Sequence, residues 1–255
     1  MATYKKRGYK PKTKADRLEA LEEQSKTAEV FKSLDEGASK TEQWVIKNQK
    51  IIFSIIGAVA VIVLGYLGYT KYIQEPKEIE AKNDMFQAQQ YFDQAVNAVE
   101  KDSLFTLSLN GGEGKFGMLD IIDNHGSTDA GNLANYYAGM AYFNLKDYEN
   151  AVRYLGDFKS DDDVLGPLAA GGIGDCFIQL NQPEDALDYY KEAAEMKTNN
   201  FSTPIYLHKA GTTALNLDRP AEALKYFQRI KDEFPESSQA GTIDVFIGRA
   251  QAAVN

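Results

Sequence analysis

The chain contains a run of nineteen residues, 51–69, without one charged side chain, and this run limits the possible folds more than any other feature. At about 1.5 Å per residue, a helix of this length covers about 28 Å, close to the roughly 30 Å hydrocarbon core of a bilayer. A helix buried in a globular core would normally keep a polar stripe, and none is visible here. The run therefore predicts one membrane-spanning helix over residues 51–70.

A cleaved signal peptide is the competing interpretation of such a run. Signal peptides start with a charged region, continue with a shorter apolar stretch and end at a small-residue cleavage site. Here fifty residues precede the run, and residues 65–69 (Gly-Tyr-Leu-Gly-Tyr) offer no such site. We therefore expect the helix to remain as an anchor in the lipid bilayer.

Positive charge is distributed unevenly around the anchor. Residues 1–50 hold 12 of the 28 Lys and Arg residues, whereas residues 71–82 hold only Lys71, Lys77 and Lys82. The positive-inside rule then predicts a cytoplasmic N-terminus. Residues 1–50 carry 12 − 8 = +4, which leaves 16 − 29 = −13 on residues 71–255. An exported segment this acidic is not expected to bind nucleic acid.

The arm ahead of the anchor is basic at its start. Residues 1–14 contain six Lys or Arg and no acid, which indicates either a topology signal or a segment attracted to anionic headgroups or RNA. A loose helical spacing then predicts a short amphipathic helix. We expect Gly37 to end this helix, and Ser39 with Glu42 to form a capping box that opens the membrane helix.

Residues 71–255 show helical spacing throughout, with no alternating strand pattern. Residues 71–129 are predicted to form an irregular first helical pair. In residues 130–255 the pattern G-x2-Y, a turn and A-x3-F, typical of the 34-residue tetratricopeptide repeat, occurs three times. Its positions are Gly139, Tyr142, Ala151 and Leu155; Gly174, Phe177, Ala186 and Tyr190; and Gly211, Ala214, Ala223 and Phe227.

These repeats complete the predicted fold class. It is all-α, with a single N-terminal transmembrane helix followed by a tetratricopeptide-repeat α-solenoid, and residues 239–254 form its capping helix. The small residues at the Gly and Ala positions let the two helices of each pair approach, and the large residue at the last position fills the remaining gap. Stacked units then bury a continuous core.

The sequence offers no convincing catalytic, cofactor-binding or metal-binding set, so we expect a protein that is not an enzyme. Cys176 stands beside the Phe177 packing position and is interpreted as a small buried hydrophobe. His125 is expected in a loop and His208 one repeat away from the cysteine, so neither is placed to activate it. One cysteine and two histidines give no zinc site.

A partner-binding surface remains as the functional hypothesis. The first helix of each pair lines the inner groove in this repeat class, and several matching positions are large and apolar, which favours a peptide or partner groove. The alternative is that neighbouring helices cover them. The candidate groove residues are Tyr136, Met140, Phe143, Asp175, Ile178, Gln179, Ile205, His208, Thr212 and Leu215.

The architecture from about Thr41 to Asn255, with one anchor and an exported acidic repeat domain, resembles the YfgM-type family of bacterial inner-membrane proteins. The resemblance implies an ancillary subunit of the Sec translocon that associates with a PpiD-type membrane-anchored chaperone and assists exported polypeptides. It also implies a single-pass inner-membrane location, with the N-terminus in the cytoplasm and the C-terminal domain in the periplasm.

Other interpretations stay open. A cell-envelope scaffold for division, peptidoglycan or outer-membrane assembly would share the anchor and the repeats. An organellar protein-import receptor would expose its repeats to the cytosol, which the charge distribution disfavours. An enzyme would need a convergent polar site, and the segment between Lys101 and Asp129 is too short to supply a catalytic domain.

Overall fold

The computed structural model of the protein describes residues 13–254, and the chain divides into two units at Tyr69 and Thr70. Most of the basic segment at residues 1–14 therefore lies outside the described residues. The elements within 13–254 are helices, and this part of the chain contains no β-strand. The all-α fold class predicted from the sequence is confirmed for these residues.

The first unit contains one long helix, α1 (Lys14–Tyr69). The predicted helix end at Gly37 and the predicted capping box at Ser39 and Glu42 are wrong, because α1 continues through all three positions. A glycine inside a helix costs about 1 kcal/mol relative to alanine. The neighbouring Glu, Lys, Ala and Gln residues are strong helix formers, and they offset that cost.

The apolar part of α1 is exposed within its unit. Side chains such as Ile51, Val61 and Leu64 are 61%, 70% and 68% exposed. Within the described chain, one helical stretch, Glu42–Asn97, is long and apolar enough to cross a membrane by length and composition, and its best 18-residue window has a mean hydropathy of 2.5 with no part buried.

The second unit begins with a π-helical stretch, Thr70–Gln74, and continues as a series of helices. The first of them are α2 (Glu75–Asn97), α3 (Asp102–Asn110) and α4 (Met118–His125). Three pairs follow: α5 (Asp129–Asn144) with α6 (Tyr148–Asp157), α7 (Leu165–Gln179) with α8 (Pro183–Met196), and α9 (Ser202–Asn216) with α10 (Pro220–Glu233). A 3-10 turn, Ala240–Thr242, and α11 (Ile243–Val254) end the described chain.

Helices α2 to α5 share one hydrophobic core. Phe92 of α2 packs edge-on against Phe105 of α3 and Tyr137 of α5, with ring centroids 5.4 Å and 5.0 Å apart. The Glu78 carboxylate accepts the N–H of Asp129 and of Ala130, at 2.8 Å and 3.1 Å. An anion is stabilised at a helix N-terminus, so this contact fixes α2 to the start of the repeats.

The three pairs share one turn geometry. The first helix of each pair ends beside a leucine, and the next residue has a positive φ, at 65° for Lys146, 58° for Asn181 and 55° for Asp218. The second helix starts two residues later. The turns predicted from the repeat pattern are therefore present, and each uses a left-handed residue that costs a non-glycine side chain roughly 1–2 kcal/mol.

Close packing explains the repeat glycines. A Cβ atom on Gly139 would lie 2.6 Å from Leu155 Cγ, and one on Gly174 would lie 2.7 Å from Tyr190 Cε1. A Cβ on Gly211 would overlap the Phe227 ring in the same way. The predicted role of these glycines, a close approach between the two helices of a pair, is confirmed in all three repeats.

Candidate partner-binding surface

The first helices of successive pairs are neighbours, since α5 contacts α7 and α7 contacts α9. The sequence assigned the candidate groove to these three helices. The exposure of its residues varies widely. Ile178 is 39% exposed and Gln179 is also exposed, whereas the other eight candidates are partly buried.

The candidates from α5 take part in packing between helices. Tyr136 lies 5.4 Å from Phe158, measured between ring centroids, and Phe143 lies 5.7 Å from Tyr148. Met140 packs on the cluster around Leu155. Desolvation by burial raises the pKa of the Tyr136 phenol. These side chains offer only part of their surface to a partner.

The candidates from α9 also take part in packing within the array. His208 packs edge-on against Phe246 of α11, with ring centroids 4.5 Å apart, and it lies 5.9 Å from Phe227. Burial lowers the pKa of His208. Ile205 and Leu215 pack against the core of the last repeats, and the Thr212 hydroxyl donates to the His208 carbonyl at 2.9 Å. Helix α11 thus covers His208, as the packing alternative foresees.

Asp175 holds an ion pair between two repeats. The Lys209 ammonium donates to both Asp175 carboxylate oxygens at 2.6 Å, and the Tyr190 hydroxyl donates to Oδ1 at 2.6 Å. The ammonium also lies 5.5 Å from the Tyr190 ring centroid and 5.7 Å from that of Tyr206. Burial, with the hydrogen bond to Asp175, raises the pKa of Tyr190.

Sequence reasoning missed Lys209 and Tyr190 as partners of Asp175. The available signal was the opposite charge of Asp175 and Lys209 on the first helices of adjacent repeats. Because the repeat pattern describes contacts within one unit, it gave no reason to pair these two residues.

Cys176 is fully buried, as the sequence predicted. Burial, together with the nearby Asp175 carboxylate, raises the pKa of its thiol to about 12. A thiol with that pKa stays protonated at neutral pH and is a poor nucleophile.

The segments that match known family models coincide with the three helix pairs. Residues 133–162 and 206–237 match one tetratricopeptide-repeat family model, and residues 169–200 match a second. These segments are tetratricopeptide repeats. Each match covers most of one of the pairs α5–α6, α7–α8 and α9–α10. Repeats of this kind form scaffolds for interactions between proteins.

Fourteen solved chains resemble the structure. One is a crystal structure from Podosopora anserina of nearly identical tetratricopeptide-like repeats, named after the kinesin light chain. It is 11% identical, with a TM-score of 0.50, and the match covers 72% of this chain and 89% of the other. At this identity the likeness shows the fold alone. No curated protein sequence matches the chain.

Proposed function

We propose that the protein is a membrane-anchored interaction protein of the bacterial inner membrane, with its repeats in the periplasm. The observation that carries the proposal is the order of parts: in the described chain, one helical stretch apolar enough to span a bilayer precedes a repeat array, with α3 and α4 between them. The exposed side chains of residues 51–69 favour lipid as their surroundings, because a contiguous apolar surface of this length is costly in water.

The partner proposed first is the Sec translocon. The protein would act as an ancillary subunit that scaffolds a PpiD-type membrane-anchored chaperone and assists emerging polypeptides, as the resemblance to the YfgM-type family implies. The anchor supports this role, since it confines the repeats near the membrane and raises their effective concentration at a channel exit. The role needs no catalysis, and a Cys176 thiol with a pKa near 12 fits a scaffold.

Affinity purification of the full chain from mild detergent, with mass spectrometry of the bound proteins, tests the proposal. We expect channel subunits and a periplasmic chaperone. Ile178→Glu on the candidate groove should lose them, whereas the same change at Val245, which is 72% exposed on α11, should keep them. Recovery of division or peptidoglycan proteins instead would favour the envelope-scaffold alternative and overturn the channel assignment.

A further inference from the structure

Helix α6 is shorter than its counterparts, and this leaves a cleft in the array. It has 10 residues, against 14 in α8 and 14 in α10. About one further turn of helix would cover the space beside α7, and the chain instead leaves the helix at Phe158. The resulting cleft, between α6, α7 and α8, has a volume of about 450 Å³. Volumes of this size are typical of ligand pockets.

The floor of the cleft is apolar and closely packed. It contains Leu155, Ala169 and Ile173, which are 2%, 4% and 5% exposed. Met196 from the end of α8 lies at the mouth and is 39% exposed. Above this nearly closed floor, Met196 supplies apolar surface at the mouth that the described chain leaves uncovered.

The loop that forms one wall is held by hydrogen bonds. The Asn132 amide donates to the Lys159 carbonyl at 2.6 Å, and its oxygen accepts the Lys159 N–H at 2.9 Å. Asp162 accepts the N–H of Val164 and of Leu165, at 2.8 Å each, and so caps α7. These bonds lower the pKa of Asp162. The cleft is therefore an ordered feature of the fold.

The mouth of the cleft is acidic. Asp161 and Glu192 line it, and neither forms an ion pair with any residue in the described part of the chain. The one basic residue in the lining, Lys159, donates to the Gly156 carbonyl at 2.8 Å. An anionic ligand would meet two unpaired carboxylates here, whereas a cationic group beside an apolar one would find complementary partners.

We propose that this cleft binds a peptide segment in which bulky apolar residues are flanked by Lys or Arg. The apolar side chains enter above Ile173 and beside Met196, and the flanking cations pair with Asp161 and Glu192. The site lies apart from Ile178 and Gln179 on the inner helices, and it does not depend on the cellular location of the chain.

Fluorescence anisotropy with the full chain in nanodiscs of zwitterionic lipid tests this proposal. The probe is a labelled peptide with the central sequence Leu-Phe-Leu and three lysines on each side. We expect it to bind, and we expect peptides with serine at the centre, or with glutamate flanks, to bind at least about tenfold more weakly. Equal binding of the serine-centred peptide would show that only charge attraction holds the peptide, and it would overturn the proposal.

Two exposed positions at the mouth locate the site. Met196→Lys and Glu192→Lys should each weaken binding by about tenfold or more, and neither change disturbs the buried floor. Matched controls are Val245→Lys and Asp232→Lys, also at exposed positions, and these should bind as the natural chain does. Thermal unfolding verifies that all four variants are folded. Unchanged binding in both cleft variants, or loss only with Ile178→Glu on the groove, would refute the cleft site.

Discussion

At the scale of single residues, the repeat glycines allow the two helices of each pair to pack closely. The pattern predicted that Gly139, Gly174 and Gly211 allow two helices to approach, and the facing residues Leu155 and Tyr190 leave no room for a Cβ at the first two. A glycine at a fixed offset from a large residue is a local signal, which explains why the sequence was sufficient.

Gly139→Leu should therefore destabilise the array by about 1–3 kcal/mol or more, because overpacking forces backbone shifts. The Leu155 backbone nitrogen, 2.9 Å from the added Cβ, cannot move aside as a flexible side chain could. Lys146→Ala is the control. Lysine and alanine both carry a Cβ, so either one at position 146 adopts the left-handed turn conformation at a similar cost. Thermal unfolding of the full chain in detergent measures the difference. Equal melting temperatures for the two variants would contradict the packing described.

His208 gives the fold a pH dependence. The unfolded chain keeps the ordinary histidine pKa near 6.5, whereas burial against Phe246 lowers the pKa in the folded state. The unfolded state thus binds the proton more readily than the folded state. The free energy of unfolding is therefore highest above pH 6.5, and it decreases as the pH falls from 6.5 through the pKa of the folded state. Denaturant unfolding between pH 7.5 and 5.5 should show this loss, reduced in His208→Gln and retained in His125→Gln. If the free energy of unfolding changed equally with pH in both variants, His208 would be excluded as the source of the pH dependence.

Contacts between repeats were harder to predict than contacts within them. Five residues before the repeat glycine, Ala169 in the second repeat corresponds to Tyr206 in the third. Three residues before it, Tyr136 in the first repeat corresponds to Gly171 in the second. A Cβ on Gly171 would overlap the Tyr206 ring, while Tyr136 packs on the cluster that contains Ala169. Each interface between repeats therefore pairs one large residue with one small residue. The large residue comes from the earlier repeat at the first interface and from the later repeat at the second, and a pattern that describes a single repeat does not contain this alternation.

At the scale of helices, the ion pair between Asp175 on α7 and Lys209 on α9 couples adjacent repeats. A double-mutant cycle with Asp175→Ala and Lys209→Ala should give a coupling energy of about 1 kcal/mol or more, since this bond is charge-assisted and partly shielded from solvent. The comparison is Arg229 with Glu233, an exposed pair within α10, for which about 0.5 kcal/mol or less is expected. Coupling energies that do not differ would show that the ion pair between repeats is no stronger than an exposed pair within one helix.

The lengths of the helices were only partly readable from the sequence. The glycine at 37 predicted a break that α1 does not contain, because good helix formers surround it. The early end of α6, which opens the cleft, also went unnoticed. The sequence likewise did not indicate that Asp162 caps α7, because this role depends on loop geometry that composition does not report.

At the scale of the whole molecule, the charge distribution predicts the orientation. The bias of twelve positive residues before the anchor against three in residues 71–82 predicts that the repeats lie outside the cytoplasm. Protease added to intact spheroplasts should degrade the chain beyond Tyr72 and leave the N-terminal arm protected. Detergent-lysed cells serve as the control in which both parts are cleaved. Protection of the repeats in intact spheroplasts would show that they lie in the cytoplasm and would contradict the translocon proposal.

We propose that the anchored repeat array presents its inner helices to a partner of protein export. Site-specific photocrosslinking in living cells tests it most directly, with the photoreactive residue at Gln179 on α7 and, as a matched control, at Gln228 on α10, both exposed. We expect Gln179 to capture a Sec subunit, a periplasmic chaperone or an exported polypeptide, and Gln228 to capture none of these. Crosslinks from Gln179 confined to division or peptidoglycan proteins, or the same adducts from both positions, would contradict it.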